Sequence, residues 1–168
     1  MACANCGDPD TIKAHLIPRV FCVEVQEGKS HAAQLAESGD YRISQSGIWD
    51  ASILCANCDG KLGELEDYAH QVFKAVRNHP TGSTFQVEVI DDVDNERILR
   101  FCAGISYKYS LTDRAKGKIA LGRYQEVCRR IALNGDDIPA SFDAFIFRPI
   151  RFSNDSGLFA YRAPFHGT

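Results

Sequence analysis

Four of the seven cysteines in this 168-residue chain fall in two short pairs, Cys3-Ala-Asn-Cys6 and Cys55-Ala-Asn-Cys58. A two-residue spacer lets both thiolates of a pair face one ion from a tight turn. Two such knuckles complete a tetrahedral, coordinatively closed site, so the spacing points to structural zinc on Cys3, Cys6, Cys55 and Cys58. A redox reading would need two separate dithiol motifs, and neither follows a thioredoxin-like strand. Cys22, Cys102 and Cys128 lie in apolar contexts and read as small buried hydrophobes. With no basic-then-apolar leader at the N-terminus, the expected compartment is reducing and cytoplasmic, which disfavours a disulfide framework.

The chain between the knuckles is longer than in a compact zinc ribbon and carries Ala14-His15-Leu16-Ile17-Pro18-Arg19, then Asp50. The second knuckle runs on into Asp59-Gly60-Lys61. In this order of knuckle, His-Leu-Ile-Pro, and knuckle with a following lysine, the first 77 or so residues resemble the zinc-stabilised branch of the HNH (ββα-metal) endonuclease superfamily. The resemblance implies a zinc that clamps a hairpin to a helix. It also implies a histidine that deprotonates water and a divalent ion such as Mg, Mn or Ni that stabilises the scissile phosphate. His15 matches the base. Ala14 stands where that family has a metal-binding carboxylate, Asp50 where it has the asparagine that orients the base, and Asp59 where it has a second metal ligand. Arg19 and Lys61 become candidate phosphate contacts, with Arg114, Lys116 and Lys118 further along. A second, vaguer resemblance links 100–109 and 121–130 to uncharacterised bacterial and phage HNH-like proteins.

Blander readings of the same residues stand beside these. His15 can hydrogen-bond across the hairpin and fill space under the helix. Asp59 can be the N-cap of a helix beginning near Gly60. His31, His70, His79 and His166 carry no pattern of their own, and Trp49 reads as a core anchor.

The elements that must position these groups follow from periodicity. Residues 11–25 are largely apolar, interrupted by Pro18, and read as short extended pieces. Residues 26–47 are polar and glycine-containing and read as an insertion, with a short helix around 31–37. Leu62, Leu65, Ala69, Val72, Phe73 and Val76 recur at three- and four-residue steps and predict an amphipathic helix, stopped at 78–82. Residues 85–90 alternate as a strand and 91–95 form an acidic turn. Two further helical patterns run through Ile98, Phe101, Cys102, Ile105 and Tyr109, and through Leu121, Tyr124, Val127, Cys128 and Ile131, ending at Asn134-Gly135. Residues 142–152, 153–157 and 158–163 read as strand, turn and hairpin partner. The expected fold is α+β: a zinc-clamped treble-clef or ββα-metal module over 1–80, with an α+β region over 81–168 packed on it.

Composition bounds the function. With 45% hydrophobic and 24% charged residues the chain is globular, neither disordered nor coiled coil, and no apolar run is long enough for a membrane span. The net charge is −3. Seven Lys/Arg against eleven Asp/Glu fall in residues 1–80, and twelve against eleven thereafter. The basic stretch 108–130 is a solvated face or a phosphate- or partner-binding patch. Three function classes remain. The first is a metal-dependent nuclease acting on nucleic acid. The second is an inactive HNH scaffold, a phage or bacterial inhibitor or regulator that contacts a protein. The third is a sequence-tolerant nucleic-acid binder stacking bases on Tyr107, Tyr109 and Tyr124.

Overall fold

The histidine motif lies on a strand whose partner comes from the far side of the insertion. In the computed structural model, which describes residues 1–26, 32–35, 41–78 and 91–146, β1 (Ala14–His15) pairs antiparallel with β4 (Trp49–Asp50). Ala14 sits opposite Asp50 and His15 opposite Trp49. Directly opposed residues share a sheet face, so His15 and Trp49 lie on one face and Ala14 and Asp50 on the other. The ladder is longer than its strands. Ile12 N donates to Leu54 O, Leu16 N to Ile48 O, and Thr11 bridges Cys55.

Between the two strands the structure departs from expectation. Residues 19–25 form a helix, α1 (Arg19–Val25), where extended pieces were expected. Pro18 starts this helix instead of interrupting the segment, and its carbonyl accepts from Phe21 N and Cys22 N. A fixed φ suits a helix entrance, and the helix earns its place by burying Phe21 and Cys22. The helix expected around 31–37 is also corrected. β2 (Ala32–Leu35) pairs with β3 (Tyr41–Ser44), Ala32 opposite Ser44 and Leu35 opposite Tyr41. Pairing with the β-prone Tyr-Arg-Ile segment overrides the weak helical preference of Ala-Ala-Gln-Leu.

The long helix α2 (Ala56–Asn78) begins inside the second knuckle, with Asp59 N donating to Cys55 O at 3.0 Å. Asp59 therefore lies within the first turn, and the N-cap role expected for it does not hold. α3 (Asn95–Leu111) is capped by Asp94, whose side chain accepts from Arg97 N at 3.1 Å. α4 (Tyr124–Arg129) continues into a π-helical turn (Arg130–Asn134), closed by Gly135 at φ +77°. α2 and α3 approach closely at Gly104, where an added Cβ would stand 3.0 Å from Leu62 Cδ2.

Two apolar clusters hold these pieces. One joins Ala14, Leu16, Ile53, Leu54 and Leu62 of the first half to Tyr107, Tyr109, Ile131 and Leu133 of the second. The other gathers Phe21, Ala69, Val72, Ile98 and Phe101, with Phe21 and Phe73 stacked at 5.7 Å and both edge-on to Phe101. The architecture is α+β, helices with small two-stranded sheets. Trp49 is not the core anchor expected of it: it is 37% exposed, with Lys13 Nζ 4.5 Å from its ring centroid. Residues 142–146, read as the start of a strand, form no strand in the structure. The expected strands at 85–90 and 158–163 lie outside the described residues. Among the described residues, no helix is long and apolar enough to cross a membrane.

Candidate functional site

The knuckles meet. The ligand atoms of Cys3, Cys6, Cys55 and Cys58 all lie within 4.8 Å of one another, with Cys6 and Cys55 sulfurs 3.6 Å apart. A tetrahedral zinc with Zn–S bonds of about 2.3 Å spaces its sulfurs about 3.8 Å apart, so the four thiols fit one ion, and a four-sulfur donor set suits zinc or iron–sulfur chemistry. Local structure explains the convergence. The first knuckle turns through Gly7 at φ +79°, closed by Gly7 N to Cys3 O and Cys3 N to Asp8 O. It is tied to the second by Ala4 N to Ile53 O. Cys3, Cys55 and Cys58 are buried and Cys6 is exposed. Burial pushes the Cys58 thiol up to about 12, against a lowering by the Asn5 amide that donates to it.

The second cluster lies where the hairpin, α2 and α3 meet. His15 lies on β1, its ring on the face opposite Asp50. Its Nε2 is buried and has no hydrogen-bond partner. Burial lowers the His15 pKa, the positive charges of Lys108 and Arg19 lower it further, and Asp59 opposes them. Asp59 is half-buried, and burial raises its carboxyl against the pull of Lys108 and His15. His15, Asp59 and Lys108 thus form one electrostatic cluster.

Lys108 is the unexpected member. It is fully buried, and its ammonium donates to the His15 backbone carbonyl and to Glu66 Oε1. Glu66 follows Asp59 by seven residues, two turns along the same face of α2. Sequence reasoning passed over Glu66 and placed Lys108 in a basic stretch. The available signal was a lysine between two core tyrosines, Tyr107 and Tyr109, both of which are buried.

Asp50 faces away from His15. Its carboxylate accepts from Ser52 N (2.9 Å), Ser52 Oγ (2.7 Å), Thr112 Oγ1 (2.7 Å) and Lys116 Nζ (3.0 Å). Burial alone would raise its pKa, but these hydrogen bonds outweigh it and hold the carboxyl well below the usual range. The residue clamps the hairpin to the chain after α3.

Most of the basic stretch is spent internally. Lys116 pairs with Asp50 and Asp113, Arg129 with Glu126, and Arg130 with Asp136, while Arg123 lies over Tyr124. Lys118 is exposed, as are Arg19 and Lys61, and the Arg114 side chain is outside the described residues. His70 packs on Phe21 and stands 3.3 Å from Glu24 Oε2. His31, His79 and His166 lie outside the described residues. Tyr107 and Tyr109 are core residues, which removes them as a stacking platform, whereas Tyr124 is exposed.

Among the described residues, the four cysteines are the one group of three or more His, Cys, Asp or Glu side chains whose ligand atoms converge. His15, Asp59 and Glu66 do not assemble a second such group. Compared with protein-family models, curated proteins and solved structures, the chain finds no match.

Proposed function

We propose that this chain is a zinc-clamped, HNH-like hydrolase of phosphodiesters in nucleic acid, with His15 as general base. The observation that carries the reading is the state of His15. Burial, and the positive charges of Lys108 and Arg19, favour the neutral ring. A neutral ring keeps a lone pair on one nitrogen, and Nε2, which has no hydrogen-bond partner, is the nitrogen this reading assigns it to. In the proposed step substrate binding uncovers the buried Nε2 to a water; Nε2 takes a proton from it, and the water oxygen attacks phosphorus. The bond to the leaving oxygen breaks, and that oxygen takes its proton from solvent. Arg19 and Lys61, both exposed, are the phosphate contacts. Asp59 is the carboxylate beside the base, but with Ala14 in place of a second one the residues here do not fit a preassembled divalent-ion site. Only proton transfer and phosphate contacts are therefore assigned to this chain.

The test is nicking of supercoiled plasmid by zinc-loaded protein with Mg²⁺, Mn²⁺ or Ni²⁺, beside His15→Ala. Nicking that the substitution abolishes, with zinc retained, supports the reading. A second reading, a catalytically inactive HNH scaffold that binds a protein, draws on two observations. Ala14 is wholly buried, and Glu66, a carboxylate that could help hold an ion, is committed to Lys108. Folded, zinc-loaded protein that fails to nick with any of the three ions supports this second reading.

A further inference from the structure

The two knuckles are identical in sequence and different in surroundings. Both read Cys-Ala-Asn-Cys, but Asn57 is exposed at the start of α2. Asn5 instead spans two groups from distant parts of the chain. Its Nδ2 donates to Cys58 Sγ at 3.2 Å, and its Oδ1 accepts from Arg129 Nη1 at 2.6 Å. An asparagine amide can be turned over with almost no change of shape, so its hydrogen-bond partners decide which end faces where. A guanidinium only donates. Oδ1 must therefore face Arg129, and the N–H must face the sulfur. Arg129 is itself fixed: its Nε and Nη2 meet the two carboxylate oxygens of Glu126 at 2.7 and 2.6 Å, within the same helix. A second tie from the same layer reaches the neighbouring residue, Tyr107 OH donating to Ala4 O at 3.2 Å.

We propose that Asn5 and Arg129 form the outer shell of the four-cysteine centre: Arg129 on α4 locks the Asn5 amide, and the amide N–H holds the Cys58 sulfur for the ion. This rests on the reading of the four cysteines as a metal site. Four thiolates on one divalent ion leave a net negative charge. A directed N–H and a nearby guanidinium offset it, and losing a group that orients a metal ligand typically costs about 10- to 100-fold in affinity. The hold on an ion bound by residues 3–58 then depends on a residue of the C-terminal layer. Asn5 and Arg129 are positioning residues, and neither touches the ion.

The experiment uses the full chain, titrated with Co²⁺ and followed by thiolate-to-cobalt charge-transfer absorption, with Zn²⁺ affinity from competition against a chromophoric chelator. Asn5→Ala and Arg129→Ala should weaken Zn²⁺ binding by about 10- to 100-fold and move the charge-transfer band. Arg129→Lys, which keeps the charge without the fork, should recover part of the loss. Asn57→Ala, the same position in the other knuckle, should stay at wild-type affinity. Circular dichroism at saturating Zn²⁺ checks that each variant is folded. Asn5→Asp keeps the shape, so a folded variant remains if Asn5→Ala fails to fold, and it should weaken binding by placing a carboxylate against the thiolate. Wild-type affinity and band in both Asn5→Ala and Arg129→Ala would overturn the proposal, as would an equal loss in Asn57→Ala. Wild-type protein with no thiolate–cobalt band would instead overturn the metal reading and the outer shell with it.

Discussion

Removing the buried ammonium at position 108 should be among the most destabilising single changes in the protein. The Lys108 side chain is 1% exposed and that of its partner Glu66 15%. Lys108→Met leaves a mostly buried carboxylate without its cation, and the His15 carbonyl without a donor. Breaking a buried pair from one side costs about 3–5 kcal/mol. The net value of the intact pair is much smaller, because both ions lost their hydration in forming it. The double variant Lys108→Met/Glu66→Gln should therefore recover most of the loss, keeping about 1–2 kcal/mol for the orphaned carbonyl. With a urea slope of about 2 kcal/mol/M, Lys108→Met should lower the midpoint by about 2 M. The cost should also depend on pH. Burial already raises the Glu66 carboxyl above its ordinary 4.5 despite Lys108, and removing the cation raises it further. A carboxyl raised on folding contributes stability that is present below its unfolded value and lost as pH rises through the folded one. The gap between wild type and Lys108→Met should thus be narrower at pH 5 than at pH 8. A midpoint within 0.3 M or so of wild type, or a double variant no better than the single, would refute the reasoning.

Three further outcomes follow from the same geometry. Asp50→Ala orphans the donors of Ser52 and Thr112 and should cost on the order of 3 kcal/mol by urea unfolding. Asp50→Asn, which keeps one acceptor, should cost less. Gly47→Ala should be severely destabilising, because φ is +83° there and the new Cβ would fall 2.3 Å from Cys22 Sγ; thermal unfolding measures it. Stripping the metal with a strong chelator should release the first knuckle from the second and lower the melting temperature by more than 10 °C or so, with recovery on adding back Zn²⁺.

The parts legible in the sequence were those whose signal is local. The cysteine spacing located the four thiols that converge, and the apolar periodicity located α2 and α3. The Gly135 stop closed the last helical stretch where expected. Elements decided by distant contacts were not legible. α1 is a helix because Phe21 finds Phe73 and Phe101, and β2 is a strand because β3 lies beside it. Lys108 and Arg129 read as surface charge because nothing local shows that Glu66 and Asn5 await them. Asp59 read as a cap because the helix start inside the knuckle depends on Cys55 being held. His15 stands out by its motif, but the burial and the charges of Lys108 and Asp59 that act on it come from distant parts of the chain.

Chemical rescue measures the role of His15 most directly. With the zinc-loaded His15→Gly variant, plasmid nicking should be lost and then restored in part by added imidazole. The acid limb of the wild-type rate should lie below pH 6.5, because burial lowers the pKa of this histidine from that ordinary value. Nicking by His15→Gly at the wild-type rate without imidazole, or no nicking by folded, zinc-loaded wild-type protein with any of the three ions, would contradict the assignment of His15 as the base.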